Sequence, residues 1–236
     1  MTVYRLVLWD VDHTLIVSGG LGGEISRAAF LKVTGVRQVY SPDVSGRTER
    51  AILAESCRLH SLDPDDYSFG DYADALAEGY LTRLAELRER GHALPGAATA
   101  LEALAKVDGL RQTVVSGNVR RVAETKLAVF GLDRHLDFGI GGYAEDSDVR
   151  ADLVRAAHRR ALDADGLDYG IGEVLVIGDT PADVDAARTA GAAVLGMSTG
   201  RSSGPDLLAA GADATLTTLA DTKTFLALVA DGISAR

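Results

Sequence analysis

Two aspartates, Asp10 and Asp12, stand one residue apart where the apolar run Tyr4–Trp9 ends. Unpaired carboxylates at the end of a buried strand are costly, because desolvation disfavours their charged form. Such a pair is either an exposed turn or has something positive between its members. Two further apolar runs end in comparable residues: Gln112–Val115 before Ser116 and Asn118, and Val174–Ile177 before Gly178, Asp179 and Asp183. The collection is rich in oxygen and holds no His or Cys cluster. Hard oxygen ligands suit Mg2+, which binds through one or two carboxylates and a substrate phosphate. A phosphate on Mg2+ beside an aspartate points to nucleophilic catalysis through an aspartyl-phosphate. The cation would offset the repulsion between carboxylate and phosphate.

For these residues to meet, the three runs must lie side by side. Their continuous apolar character suits parallel strands covered on both faces. Helical patterns separate them at Ala97–Lys106, Val119–Phe130, Arg150–Leu162 and Ala182–Ala190. Phe138–Ile140, Ala193–Met197 and Ala214–Leu216 read as weaker strands, and Leu219–Val229 as a last helix. The alternation predicts an α/β chain with a Rossmann-like core, a mostly parallel sheet flanked by helices. Sites in such folds form beyond the carboxyl ends of the strands. From about Gly22 to Arg90 the alternation stops. Glu24–Thr34, Thr48–Leu59 and Tyr72–Arg90 read as helical, with no strand among them. Gly19, Gly20, Gly22 and Gly23 precede the segment and Pro95-Gly96 follows it, as punctuation of the chain direction. The expectation is an inserted all-helical cap domain, residues 19–92, on a core of residues 1–18 and 93–236.

The chain of 236 residues is long enough for such a core with a smaller insertion. A net charge of -10 argues against nucleic-acid binding, which needs a basic surface, and against a polybasic membrane surface. No run of ~18 apolar residues predicts a membrane span. The first residues lack the pattern of a secretory signal, so a cytoplasmic location is the expectation, with a monomer as default. A single cysteine, Cys57, excludes a disulfide framework and a CxxC metal site. His60, His92, His135 and His158 show no ligand spacing and read as surface residues.

The stretches DVDHT (Asp10–Thr14), VVSGN (Val114–Asn118) and GDTPAD (Gly178–Asp183) together resemble three motifs of the haloacid dehalogenase-like phosphohydrolase superfamily. Order and wide spacing match over the core, and the helical insertion resembles the cap of the phosphoglycolate-phosphatase-like branch. The resemblance implies that Asp10 is the nucleophile and a Mg2+ ligand. Asp12 would protonate the leaving alkoxide and then activate water, its backbone carbonyl also on the metal. A carboxylic acid in that role needs a pKa raised by its surroundings. Ser116 would donate its hydroxyl to the transferring phosphoryl group, and Asp179 would complete the metal site. Asp183 would be a further ligand or a support, and Thr14, Gly117 and Asn118 are expected at the substrate. The implied activity is Mg2+-dependent hydrolysis of a small-molecule phosphate ester, such as phosphoglycolate or a sugar phosphate. The alternatives are a phosphomutase and a binding or regulatory protein that has lost catalysis. Asp12 favours ester chemistry over carbon–halogen cleavage, since a halide leaves without a proton and an alkoxide does not.

Two positions depart from the resemblance. His13 stands where the family usually has glycine; its imidazole could narrow the entrance, contact substrate or point away, and the last is favoured. The phosphate-holding lysine is also displaced. Lys126 alone lies between the second and last motifs, in mid-helix, whereas Arg150 in SDVRADLV is the better positional match. A cation in a first helical turn opposes the macrodipole, which implies a local anion, and arginine can grip phosphate with two parallel bonds. Arg150 is therefore favoured over Lys126. Structural alternatives stand beside these roles: Asp183 in a capping box after Thr180-Pro181, and Asn118 as a helix N-cap. In the insertion, Arg47 of SGRT either faces a second anionic group of the substrate or faces solvent. The glycine cluster reads as a hinge between core and cap.

Overall fold

The computed structural model describes residues 4–166 and 168–230. The strands are β1 Leu6–Trp9, β2 Ile16–Val17, β3 His92–Ala93, β4 Arg111–Val114, β5 Val174–Gly178, β6 Ala193–Met197 and β7 Ala214–Leu216. The helices are α1 Leu21–Thr34, α2 Glu49–Leu59, α3 Phe69–Thr82, α4 Leu84–Arg90, α5 Ala97–Leu104, α6 Arg120–Val129, α7 Arg150–Asp165, α8 Pro181–Ala190, α9 Gly204–Ala209 and α10 Thr222–Ala230.

Five strands form a parallel sheet in the order β4-β1-β5-β6-β7. All of β1 is buried because both its faces are covered. Val7 and Trp9 pack with Leu175, Ile177 and the apolar stripes of α5, α6 and α10. Leu6 and Leu8 pack on the other face with Val174, Val176 and the stripes of α7, α8 and α9. Trp9 donates its indole N–H to Gln112 at 3.1 Å, so the one polar atom of this core ring is satisfied where it is buried. The register sets Trp9 opposite Val114 on one side and Ile177 on the other. Asp10, Ser116 and Asp179 therefore leave neighbouring strands within a residue or two of one level, at the carboxyl edge.

Between β2 and β3 lie α1 to α4, which share an apolar cluster around Phe30, Tyr72, Leu76 and Tyr80. Val119 and Val122 of the α6 region join the same cluster, so the insertion is packed down on that helix. The antiparallel pairing of β2 with β3, Ile16 opposite Ala93 and Val17 opposite His92, closes the base of the insertion. Two-residue strands carry no period, so sequence patterning does not show this ribbon.

Two expected elements differ. Phe138–Ile140 is a 3-10 turn, because the Asp137 carboxylate accepts the Gly139 N–H and rounds the chain off. The bridge Val115–Gly142 and the Asp137 N–H bond to Gln112 O hold that segment at the sheet edge. The helical pattern Tyr72–Arg90 is two helices with a break at Arg83, whose guanidinium bonds Glu24 and Glu86. His60 is also not a free surface residue. Its Nδ1 bonds Ser56 O at 2.7 Å, and its Nε2 accepts the Val39 N–H at 2.9 Å, tying the chain before α2 to that helix.

Gly19 is placed where no side chain fits. Its φ is +61°, and a Cβ would lie 2.4 Å from Arg90 O. Gly19→Ala should therefore lower stability by about 1–3 kcal/mol in urea denaturation, through the strained dihedral and the clash. An unchanged midpoint would remove this contact from the base of the insertion.

Candidate active site

Asp10, Asp179 and Asp183 are buried at the carboxyl edge of the sheet, and each offers a carboxylate oxygen within 4.8 Å of the others. Two glycines make the convergence possible. A Cβ on Gly178 would lie 2.4 Å from the Asp183 Cγ, and a Cβ on Gly200 would lie 1.8 Å from an Asp179 oxygen. Burial first, and the neighbouring carboxylates second, push Asp10 and Asp179 well above the usual carboxylate range. Asp179 is 3% exposed and has no ion pair or side-chain hydrogen bond among the described residues. A buried, unpartnered carboxylate beside two others is the donor set a hard divalent cation takes, so these residues fit one.

Asp183 has two tasks at once. Its Oδ2 accepts the Thr180 N–H at 3.0 Å and the Thr180 hydroxyl at 2.7 Å, completing a capping box at the start of α8. Its Oδ1 accepts from Arg150, which also reaches Asp10 Oδ1 at 2.8 Å. The anion implied by an arginine in the first turn of α7 is thus this carboxylate pair.

Lys126 enters the same site from the opposite side. Its ammonium is 2.6 Å from Asp12 Oδ2 and 2.8 Å from Asn118 Oδ1, and the residue is 4% exposed. Asn118 donates its amide to Asp12 Oδ2 and to Ser116 Oγ, each at 2.8 Å. It does not cap α6, whose N-cap is Val119. The structure therefore brings both Lys126 and Arg150 to the site, each holding a different aspartate. The signal for Lys126 was present in the sequence: it shares the buried stripe of α6 with Val122 and Ala123, where a lysine is costly unless it meets an anion.

The surroundings of Asp12 differ from the expectation of a raised pKa. Burial works to raise it, but the Lys126 charge and the Asn118 and Lys126 hydrogen bonds outweigh burial and hold it below the usual range. Asp12 is therefore an anion before anything binds. His13 has φ +61°, the left-handed conformation that explains glycine as the usual residue there. Its side chain is exposed at the cavity, and its carbonyl accepts the Thr199 hydroxyl. Thr14 is fully buried and its hydroxyl has no partner among the described residues; it does not line the cavity. Gly117 is where the insertion touches the core. A Cβ there would lie 2.2 Å from Arg47 O, and its own carbonyl accepts the Glu49 N–H at 2.7 Å. The Arg47 guanidinium bonds the carbonyls of Asp43 and Ala51 at 3.4 and 3.3 Å, within its own segment.

A cavity of about 480 Å3 opens over these groups, between the sheet edge and the insertion. Beyond the three motifs it is lined by Arg27, Gln38, Glu49, Tyr80 and Arg201, which sequence reasoning did not find. None belongs to a short pattern; only the packing of the insertion brings them there. Burial, with Asp12 nearby and Lys126 opposing, pushes the Glu49 carboxyl up to about 7.

An acidic cluster, a buried lysine, a part-buried arginine and a cavity thus lie together at the carboxyl edge of a parallel sheet, where enzymes of the α/β class bind their ligands. The chain belongs to the haloacid dehalogenase-like hydrolase family, whose model matches residues 7–188. Among solved structures it is similar to a hydrolase from Pseudomonas syringae, at 22% identity and a TM-score of 0.67, covering 98% of this chain and 100% of that one. A predicted phosphoglycolate phosphatase from Haemophilus somnus is similar at 19% identity and a TM-score of 0.62, over 96% and 99% of the two chains. A family hydrolase from Deinococcus radiodurans with bound phosphate and sodium is similar at 21% identity and a TM-score of 0.55, over 97% of each chain. No protein of curated function matches. No helix among the described residues is long and apolar enough to cross a membrane.

The raised Asp10 and Asp179 carboxyls set a sign for stability against pH. A carboxyl raised on folding stabilises fully below its unfolded pKa of about 3.9, and that contribution is lost as pH rises through the folded value. The cation-free protein should therefore melt at a lower temperature at about pH 8 than at about pH 5.5. A divalent cation should raise the melting temperature more at the higher pH, where it meets no competing proton. Calorimetric scans with chelator and with millimolar Mg2+ check this. A cation response equal at both pH values would contradict it.

Proposed function

We propose that the chain is a Mg2+-dependent phosphatase that hydrolyses a small phosphomonoester through an aspartyl-phosphate on Asp10. The observation that carries this reading is the division of labour between two adjacent aspartates. Asp10 faces Asp179 and Asp183, whereas Asp12 faces Lys126 and Asn118. The bound phosphate and sodium of the Deinococcus radiodurans hydrolase, which has the same fold, support a site for an anion with a cation.

Asp10, Asp179 and Asp183 would hold Mg2+, which supplies charge neutralisation for a phosphate beside a carboxylate. Arg150 and Lys126 place two fixed positive charges on the phosphoryl oxygens, and the Ser116 hydroxyl donates a further bond. An arriving phosphate competes for Lys126, which removes what keeps Asp12 ionised and lets it carry a proton. Asp10 then attacks phosphorus, the ester P–O bond breaks, and Asp12 gives its proton to the leaving alkoxide. Asp12, now a base, takes a proton from water as that water attacks the aspartyl-phosphate. The phosphorus bond to Asp10 breaks, and inorganic phosphate leaves. Residues 19–92 act as the cap, excluding bulk water while the intermediate exists.

With p-nitrophenyl phosphate and Mg2+, Asp10→Asn should lose turnover by on the order of a thousandfold or more. Chelation should abolish turnover in the wild type. Equal rates in the two proteins would sink the nucleophile assignment. Release of inorganic phosphate, against return of phosphate to a second position of the substrate, separates hydrolase from mutase.

A further inference from the structure

The proposed chemistry leaves one carboxylate of the cavity without a task. Glu49 begins α2 and lines the cavity, and its main chain is pinned to the core by the bond to Gly117 O at 2.7 Å. Its single polar side-chain contact among the described residues is the Tyr72 hydroxyl, long at 3.4 Å. Lys126 makes its hydrogen bonds to Asp12 and Asn118, so no ion pair neutralises Glu49. A cavity-lining carboxylate with one long contact has acceptor capacity left for a ligand's hydroxyls.

Gln38 also lines the cavity, but its free acceptor is turned into the packing rather than left open to a ligand. Gln38 donates Nε2 to Ser56 Oγ at 3.0 Å, and its Oε1 is buried with no hydrogen-bond partner among the described residues. Ser26, Ser41 and Ser45 line the same region and can both give and take hydrogen bonds. Glu49 and these serines suit a neutral alcohol carrying several hydroxyls. A carboxylate there would meet Glu49, and an ammonium would share the cavity with Lys126, Arg27 and Arg201.

Resting on the phosphatase reading, we infer that Glu49 is a specificity-determining acceptor for a hydroxyl of the leaving alcohol, and that the substrate is a sugar or polyol phosphate rather than the phosphate ester of a hydroxy acid such as glycolate. The cavity of about 480 Å3 lies within the ordinary range for a small-molecule site. A site built to bond a hydroxyl rejects an analogue that lacks it, because its own polar groups are then left unpaired.

The test compares kcat/KM for glucose 6-phosphate, glycerol 3-phosphate, 2-phosphoglycolate and p-nitrophenyl phosphate, using the full chain and Glu49→Gln. The wild type should prefer the hydroxylated esters over 2-phosphoglycolate by about tenfold or more. Glu49→Gln should lower the ratio of the better hydroxylated ester to p-nitrophenyl phosphate by about 10–100-fold. The same substitution should raise the relative rate on 2-phosphoglycolate, a reversal that a merely structural role would not produce. Glu49→Ala should lower the same ratio, so a folding failure of one variant leaves the other to decide. A wild type that prefers 2-phosphoglycolate, or variants that slow all four esters by one factor, would overturn the inference while leaving the phosphatase reading intact. A wild type inactive on every ester, p-nitrophenyl phosphate included, would overturn both.

Discussion

Three buried carboxylates drawn to one point govern this structure. Like charges repel, and burial magnifies the repulsion, so the cluster persists only where protons, cations or rigid packing offset it. The parallel sheet supplies the packing. β1 is covered on both faces and β5 is hydrogen-bonded beside it, so Asp10 and Asp179 have no freedom to separate. Arg150 supplies a fixed cation, and the capping box at the start of α8 holds Asp183 in place from behind. The motifs at the strand ends are therefore structural and chemical devices together: Asp183 starts a helix and completes the acidic cluster with its two oxygens.

The two aspartates that follow β1 differ because their neighbours differ. Asp10 sits among carboxylates and is pushed toward the protonated form, whereas Asp12 sits against an ammonium and an amide and is held ionised. A divalent cation at the first and a phosphate at the second would each invert the local balance. The resting electrostatics thus oppose the state each residue needs in the proposed reaction, and ligand binding supplies the correction.

The helical insertion contributes the rest of the cavity. It is anchored by the β2–β3 ribbon at its base and by the approach of residues 46–50 to the core loops. There Glu49 N–H meets Gly117 O, Arg50 bonds the carbonyls of Ala144 and Glu145, and Arg150 reaches Gly46 O. These contacts fall mostly on backbone carbonyls, which depend little on side-chain identity. Side chains of the same insertion, Arg27 and Glu49 among them, line the cavity.

Much of the core was legible in the sequence because it follows from local rules. Continuous apolar runs fully buried on two faces mark parallel strands, and acidic or small residues at their ends mark the edge where a site forms. Asp10, Asp12, Ser116, Asp179 and Asp183 could be named on those grounds and by their motifs. Phe138–Ile140 misled because three apolar residues carry no period, and the Asp137 turn decides their shape. Lys126 was undervalued because its helix reads as complete without reference to Asp12, a residue 114 positions away in the chain. Glu49, Gln38 and Arg27 had no signature at all. By itself the sequence determined the sheet, the strand-end carboxylates and the presence of a helical insertion, since each is written in residues close together along the chain. Only the tertiary structure decided which cation faces which aspartate and which side chains of the insertion line the cavity. Those are properties of distance and burial between segments far apart in sequence, and no local pattern encodes them.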